Sequence, residues 1–446
     1  MARLNTAVPH TAVTHEGGRA DSHQKPDVEL ERDVATCLLW ENTFYEKGSE
    51  IAKRIANLCE VVSVESTARL AIKARNDYKL RHVPLFLGLQ LAKHGSGRKD
   101  GLVRETLAAV IQRPDEMGEF IAQYWKDGKR PLSAQIKKGL RAAFGKFSEY
   151  QFAKWDRDSA VKLRDVMFLV SPKPTKEREA LYKQIAEQTL PPADTWEVAL
   201  SAGTDKKATW ERLLADKKLG YIALLMNLRN MEQAHVDRSL VESALMAGAA
   251  KSKALPFRFV SAVKHAPAYA QTISDAMVTA LTDAPKLKGQ TLIVVDVSPS
   301  MDQATISAKS ELTRTDAAAA LAVLLREVCE SCRVFTFSND LVEVKNFRGL
   351  PLIDGINKSQ IHNGTLLARS LTALKGYISK TDRIIVVTDE QSQDGNISNW
   401  ATQGYLCNVA PYKPGLETAG GWKRINGWSE RIVDWIRAEE AIGVED

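Results

Sequence analysis

Asp296, Ser298 and Ser300 stand at alternate positions at the end of the run TLIVVDVSPS, residues 291–300. One carboxylate and two hydroxyls at that spacing can converge in a single loop. Oxygen donors of this kind suit a hard divalent cation such as Mg²⁺, which takes octahedral geometry and keeps part of its water. Two further segments fit the same site. NGT, Asn363 to Thr365, precedes a helical pattern, and IIVVTDEQS puts Thr388 and Asp389 at the end of a second apolar run. Leu292 to Val295 is apolar without alternation, which predicts a strand buried on both faces.

The elements that must carry these groups follow from the surrounding pattern. From about residue 289, the strands TLIVVDV, RVFTFSN, LVEVKNF, RIIVVTD and GYLCNVA alternate with the helical runs TDAAAALAVLLREV, TLLARSLTALKGYI and SERIVDWIRAEEAI. That alternation predicts a doubly wound α/β domain, a parallel sheet with helices on its faces. RVFTFSNDLVEVKNF reads as an antiparallel or edge hairpin turning near Asn339-Asp340. Ligands of such sheets bind outside the carboxyl ends of the strands, where Asp296 and Asp389 fall. The trio of segments resembles the metal-ion-dependent adhesion site of von Willebrand factor A domains. The resemblance implies Asp296, Ser298, Ser300, Thr365 and Asp389 as metal ligands, with Pro299 where family members often carry Gly.

Residues 28 to 283 read differently. ELERDVATCLLWENTFY, EIAKRIANLCEVV, HVPLFLGLQLAKH, LVRETLAAVIQR and EMGEFIAQYW space their apolar residues by three and four, as helices do. Short polar connections separate them, and no strand pattern intervenes. Stacked antiparallel pairs, an irregular α-solenoid of the HEAT type, are expected. The division is then an arm over 1–27, a helical domain over 28–285 and an A-like domain over 286–446.

Composition narrows the function. No apolar stretch approaches the length of a membrane span, and the first 27 residues lack the apolar core of a secretory signal, so the cytoplasm is the expected compartment. Five cysteines without framework spacing read as structural thiols, including Cys329 and Cys332 at the end of a helical run. No paired histidine ligands, nucleophile elbow or phosphate-binding glycine loop is present, which points away from an enzyme. His362, near the candidate metal loop, reads as a surface side chain.

Charge is distributed unevenly. Up to residue 285 there are 43 Lys and Arg against 35 Asp and Glu; from Lys286 onward there are 18 against 20. Nearly all of the excess lies in residues 125–164, with 11 Lys and Arg against four acids and six interleaved aromatics, Trp125, Phe144, Phe147, Tyr150, Phe152 and Trp155. Clustered cations can displace the counterions of phosphates, and exposed aromatics can stack on unpaired bases. The candidate RNA contacts are Lys137, Lys138, Arg141, Lys146, Lys154, Arg157, Lys162 and Arg164.

The order of fragments along the chain is similar to the TROVE-domain family, the Ro autoantigen type of RNA-binding protein. The matching pieces are ELERDVATCLLW, KKGLRAAF, LRDVMFLVSPKP, TWEVALSAG, IALLMNLRNM and ALPFRFVSAVKHA, followed by the A-like domain. The resemblance implies a ring of helical pairs closed by that domain, binding small structured noncoding RNAs outside and single-stranded RNA ends in the hole. It places Lys137, Lys138, Arg141, Lys154 and Arg157 in the RNA-contacting region. Ser171-Pro172 departs from the family, which often has His before Lys-Pro, and Asp156 and Asp158 dilute the basic run. A monomer is expected, with a nuclease or other protein partner reached through the A-like domain. The alternative is a metal-dependent protein-interaction module that binds no RNA.

Overall fold

The computed structural model describes residues 25–36, 48–78, 80–94, 100–156, 158–193, 196–201, 205–252, 254–303, 305, 311–378, 380–410, 416, 418–419, 421–426, 432–433, 436–437 and 440. The arm expected over 1–27 lies outside the described residues as far as residue 24, and a helix begins at Pro26. The described residues form two compact units, one over 26–36 and 49–209 and one from Trp210 onward. None of their helices is long and apolar enough to cross a membrane.

The first unit is helical throughout its described residues. Its helices run Pro26–Thr36, Gly48–Val61, Val64–Asn76, His82–His94, Leu102–Val110, Pro114–Tyr124, Ala134–Gly145, Glu149–Trp155, Leu163–Val170, Glu179–Glu187 and Trp196–Ser201. Their starts are chemically marked. The hydroxyls of Ser63, Ser133 and Ser148 accept the N–H groups of Ser66, Ile136 and Gln151, satisfying donors that a first turn leaves unpaired. In Ala134–Gly145 the buried stripe is Ile136, Leu140, Ala143 and Phe144. A Cβ at Gly139 would stand 2.9 Å from the Leu107 Cβ and 3.0 Å from the Arg104 carbonyl oxygen, so the close crossing with Leu102–Val110 requires glycine. The Phe144 ring packs on Phe152 at 4.8 Å and edge-on to Tyr182 at 5.3 Å.

The second unit continues with helices Tyr221–Gln233, Arg238–Ala249, Pro256–His265 and Ala270–Leu281, then changes to strands and helices. The strands are β1 (Leu287–Asp296), β2 (Cys329–Phe337), β3 (Leu341–Val344), β4 (Arg383–Thr388), β5 (Ile397–Ser398), β6 (Gln403–Asn408), β7 (Thr418–Ala419) and β8 (Trp422–Asn426). Six of them make one sheet in the order β3-β2-β1-β4-β6-β8, parallel except for β3. β5 and β7 pair separately. Leu292 and Val294 share a core with Leu367, Leu371 and Leu374 of the helix Leu367–Tyr377, while the helix Arg314–Val328 packs on β1 and β2. The expected helical region followed by a doubly wound sheet is therefore the observed fold, including the β2–β3 edge hairpin.

One local expectation is corrected, and one strand was not foreseen. Cys329 and Cys332 do not end a helix: the helix Arg314–Val328 stops before them and β2 opens at Cys329. Pairing of Cys329 with Leu287 and of Cys332 with Thr291 outweighs the local helical pattern. β8 has no strand signature of its own; its parallel pairing with β6 makes it one.

Candidate metal centre and nucleic-acid interface

Between β1 and β4 the winding of the sheet reverses, because the chain leaves β1 toward β2 on one side and returns as β4 on the other. Loops at such a switch point diverge and leave a crevice at the carboxyl ends of the strands. Asp296 closes β1, and Asp389 directly follows Thr388 at the end of β4. Both carboxylates are fully buried, and Ser298, Ser300 and Thr365 are buried with them. The Ser298 N–H donates to Asp296 Oδ1 at 2.8 Å, and the Thr388 hydroxyl donates to Asp296 Oδ2 at 2.5 Å. The hydroxyl oxygens of Ser298 and Ser300 are 3.2 Å apart.

Thr365 is tied to the loop after β4 through its carbonyl. Its carbonyl accepts the Gln393 N–H at 2.9 Å and the Ser392 hydroxyl at 3.2 Å, both from the loop after β4. Ser338, just past β2, holds the same segment from the other side. Its hydroxyl donates to the Gly364 carbonyl at 2.9 Å and accepts the Asn363 and Gly364 N–H groups at 3.0 Å. A Cβ on Gly364 would collide with the Asn339 side chain. Asp394 then accepts the Ala368 and Arg369 N–H groups and caps Leu367–Tyr377. Ser338 and Asp394 escape the sequence pattern because each acts on a segment 25 or more residues away.

The electrostatics of this crevice call for positive charge. Burial first, then the neighbouring Asp389, pushes the Asp296 carboxyl up to about 7. Two buried carboxylates with three buried hydroxyls beside them fit a hard cation. Arg314, first residue of the helix Arg314–Val328, sets Nη1 3.5 Å from Asp389 Oδ2, and Arg424 stands 3.7 Å from Glu390 Oε2. Glu390 itself holds a left-handed backbone, φ 59°. His362 is not a surface side chain: it lies largely buried, with Nδ1 3.6 Å from Asp302 Oδ2.

A titration follows from the raised Asp296 carboxyl. Between its ordinary pKa of 3.8 and about 7, the folded state keeps a proton that the unfolded chain releases. Stability in chelator therefore declines as pH rises through that window. Thermal unfolding from pH 4 to 8 should show this decline, and Asp296→Asn should flatten it; an equal slope in the variant would refute the assignment.

The candidate RNA contacts fall into three groups. Lys137, Lys138 and Arg141 are exposed on Ala134–Gly145. The Arg141 Nε donates to the Val170 carbonyl at 2.8 Å, joining this helix to the end of Leu163–Val170. On that second helix Leu163, Val166, Met167 and Val170 are buried, leaving Arg164 and Phe168 outward. Phe168 is 59% exposed, with the Arg164 guanidinium 5.5 Å from its ring. Lys154 belongs elsewhere, near Tyr150 and Trp155, and the Trp155 ring is covered by Arg113 at 3.4 Å. Lys146 donates to the Ala108 carbonyl at 2.5 Å, and Lys162 pairs with Asp158 at 3.0 Å. Arg157 lies outside the described residues. Of the interleaved aromatics, Phe144, Phe147 and Phe152 are core, whereas Tyr150 is exposed. Ser171 takes the left-handed conformation, φ 47°, and ends the helix with its N–H on the Met167 carbonyl.

A family model described as the TROVE domain matches residues 188–277. The crystal structure of the Deinococcus radiodurans RO (RSR) protein has the same fold, with a TM-score of 0.57 at 15% identity, over 89% of this chain and 97% of that one. No curated protein matches the chain. Residues 188–277 thus match the TROVE domain, and the chain has the fold of the RO protein. The resemblance carried by the ordered fragments is thus borne out. The basic helices lie N-terminal to the TROVE match, whose helix Pro256–His265 reaches the A-like domain directly. There Lys264 donates to Asp316 Oδ2 at 2.5 Å and to the Glu311 carbonyl at 3.3 Å. Asp316 also caps its own helix by accepting the Thr313 N–H at 2.8 Å. The first turn carrying Arg314 is therefore fixed from both sides.

Phe168 is the residue the sequence reading missed. Its signal was available: with Leu163, Val166, Met167 and Val170 on one stripe, position 168 falls outside it.

Proposed function

We propose that this protein is a noncatalytic RNA-binding protein that holds small structured noncoding RNAs of the Y type and the single-stranded ends of misfolded RNAs, serving small-RNA stability or RNA quality control. The helical domain over 28–285 would carry the RNA and the A-like domain over 286–446 would serve a protein partner, in a monomer. The carrying observation is the exposed set Lys137, Lys138 and Arg141 on a helix that Arg141 joins to the one bearing Arg164 and the outward Phe168. Phosphates would be met by the cations, and an unpaired base would stack on the Phe168 ring. Asp296, Ser298, Ser300, Thr365 and Asp389 would hold a divalent cation, Mg²⁺ in the cell, and present it to a carboxylate of a protein partner such as an exoribonuclease.

The test is equilibrium binding of a structured small RNA, with and without a single-stranded 3′ tail, across a salt series. Tail-dependent binding with a steep salt slope supports the reading. Phe168→Ala should cost about 1–3 kcal/mol on the tailed RNA and little on the blunt one, while Phe168→Trp should retain the tail preference. Weak, tail-indifferent binding in the unaltered protein would favour an A-like module for protein ligands alone.

A further inference from the structure

Arg314 occupies an unusual place for a cation. Its side chain is only 4% exposed, and its partner Asp389 is not exposed at all. The helix it opens is buried almost throughout, including Asp316, Ala317, Ala320 and Leu324. The guanidinium is thus largely withheld from water. It sits 3.5 Å from the carboxylate oxygen of one of the two acids in the candidate cation site. The capping box of Thr313 and Asp316, with Lys264 bound to Asp316, holds the first turn in position. Glu390, the next acid along the chain, has its own guanidinium in Arg424. Arg314 and Arg424 thus each bring a guanidinium to one of the two successive acids after β4.

Two positive charges a few ångströms apart in a buried site repel strongly, because the local dielectric is far below that of water. A dication held by Asp389 would meet that repulsion and would share the carboxylate with the guanidinium. In its absence the guanidinium already offsets much of the cost of burying Asp389. We infer that Arg314 is an internal counter-ion that competes with a divalent cation for Asp389 and sets the cation affinity of the site in the millimolar range. The inference rests on the cation-site reading given above. It makes cation occupancy of the A-like domain responsive to concentration, while the fold persists without the ion.

The experiment is calorimetric titration of the full-length protein with Mn²⁺ and with Mg²⁺, paired with thermal unfolding, for the unaltered chain, Arg314→Gln and Arg314→Lys. Millimolar binding by the unaltered chain is expected, tightening by about tenfold or more in Arg314→Gln as one fixed positive charge is removed. Arg314→Lys keeps the charge and should stay near the unaltered affinity. Arg314→Gln should unfold at lower temperature without metal and recover on adding it. Micromolar binding by the unaltered chain, unchanged or weaker in Arg314→Gln, would overturn the inference and leave the cation site standing. No binding by any folded variant would remove the cation site and the inference together. Should Arg314→Gln not fold, the unaltered affinity decides: millimolar supports the inference and micromolar refutes it.

Discussion

Reversing Lys137, Lys138 and Arg141 together to Glu should weaken binding of a structured small RNA by on the order of a hundredfold or more at moderate salt. All three side chains are exposed on one helix, Ala134–Gly145, whose buried stripe is formed by other residues. Among the described residues, no acid pairs with Lys137 or Lys138. Each cation that neutralises one phosphate contributes about 0.9 to the slope of log affinity against log salt, so the slope should fall by nearly three. Reversal also adds repulsion, which separates the triple variant further from simple loss of contact. Fluorescence anisotropy at four salt concentrations measures both quantities, and unchanged thermal unfolding shows that the helix is intact. An affinity within threefold of the unaltered protein, with the same slope, would place the RNA elsewhere or nowhere. Arg141 is the member with a second role, since its Nε bond to the Val170 carbonyl joins two helices. A Lys137→Glu/Lys138→Glu pair should keep most of the effect if charge, not that bond, is the cause.

The second large effect lies beneath that surface. Glu116 is fully buried, and its carboxylate accepts Arg75 Nη2 at 2.7 and 2.9 Å, the Gln112 N–H at 2.8 Å and the Arg113 N–H at 3.1 Å. It thereby ties the helix Val64–Asn76 to the start of Pro114–Tyr124. Glu116→Ala would strand a buried guanidinium and two backbone donors, costing about 3–5 kcal/mol. Urea unfolding should register this as a lower midpoint at unchanged slope. The apolar pair Arg75→Met/Glu116→Leu should recover the part of the loss due to the stranded guanidinium, while the Gln112 and Arg113 N–H groups stay without their acceptor. A loss below about 1 kcal/mol in Glu116→Ala would mean that water reaches the site and the pair is not truly buried.

Much of this molecule is legible one segment at a time. Helical spacing and unbroken apolar runs depend on neighbours within a few residues, so the helical run to Leu281 and the buried strands β1 and β4 declare themselves. The oxygen donors are legible for the same reason. Asp296, Ser298 and Ser300 lie within five residues, from the end of β1 into the short helix Pro299–Gln303, and Thr365 and Asp389 each stand beside a recognisable element. Burial of the donors follows once the sheet is parallel, because its switch point must lie between β1 and β4.

What the chain by itself determined is therefore the order of elements, the charge of residues 125–164 and the chemistry of the five candidate oxygens. Only the tertiary structure decided which of those charges face solvent, why Lys146 turns to Ala108, and that Phe168 stands outward while Phe144 and Phe152 are core. It alone placed the guanidinium of Arg314 on Asp389, 75 residues along the chain, and the hydroxyl of Ser338 under Gly364. Local pattern reports the face of an element; the partner that meets that face is set by packing between segments far apart in sequence, and no short-range periodicity encodes it.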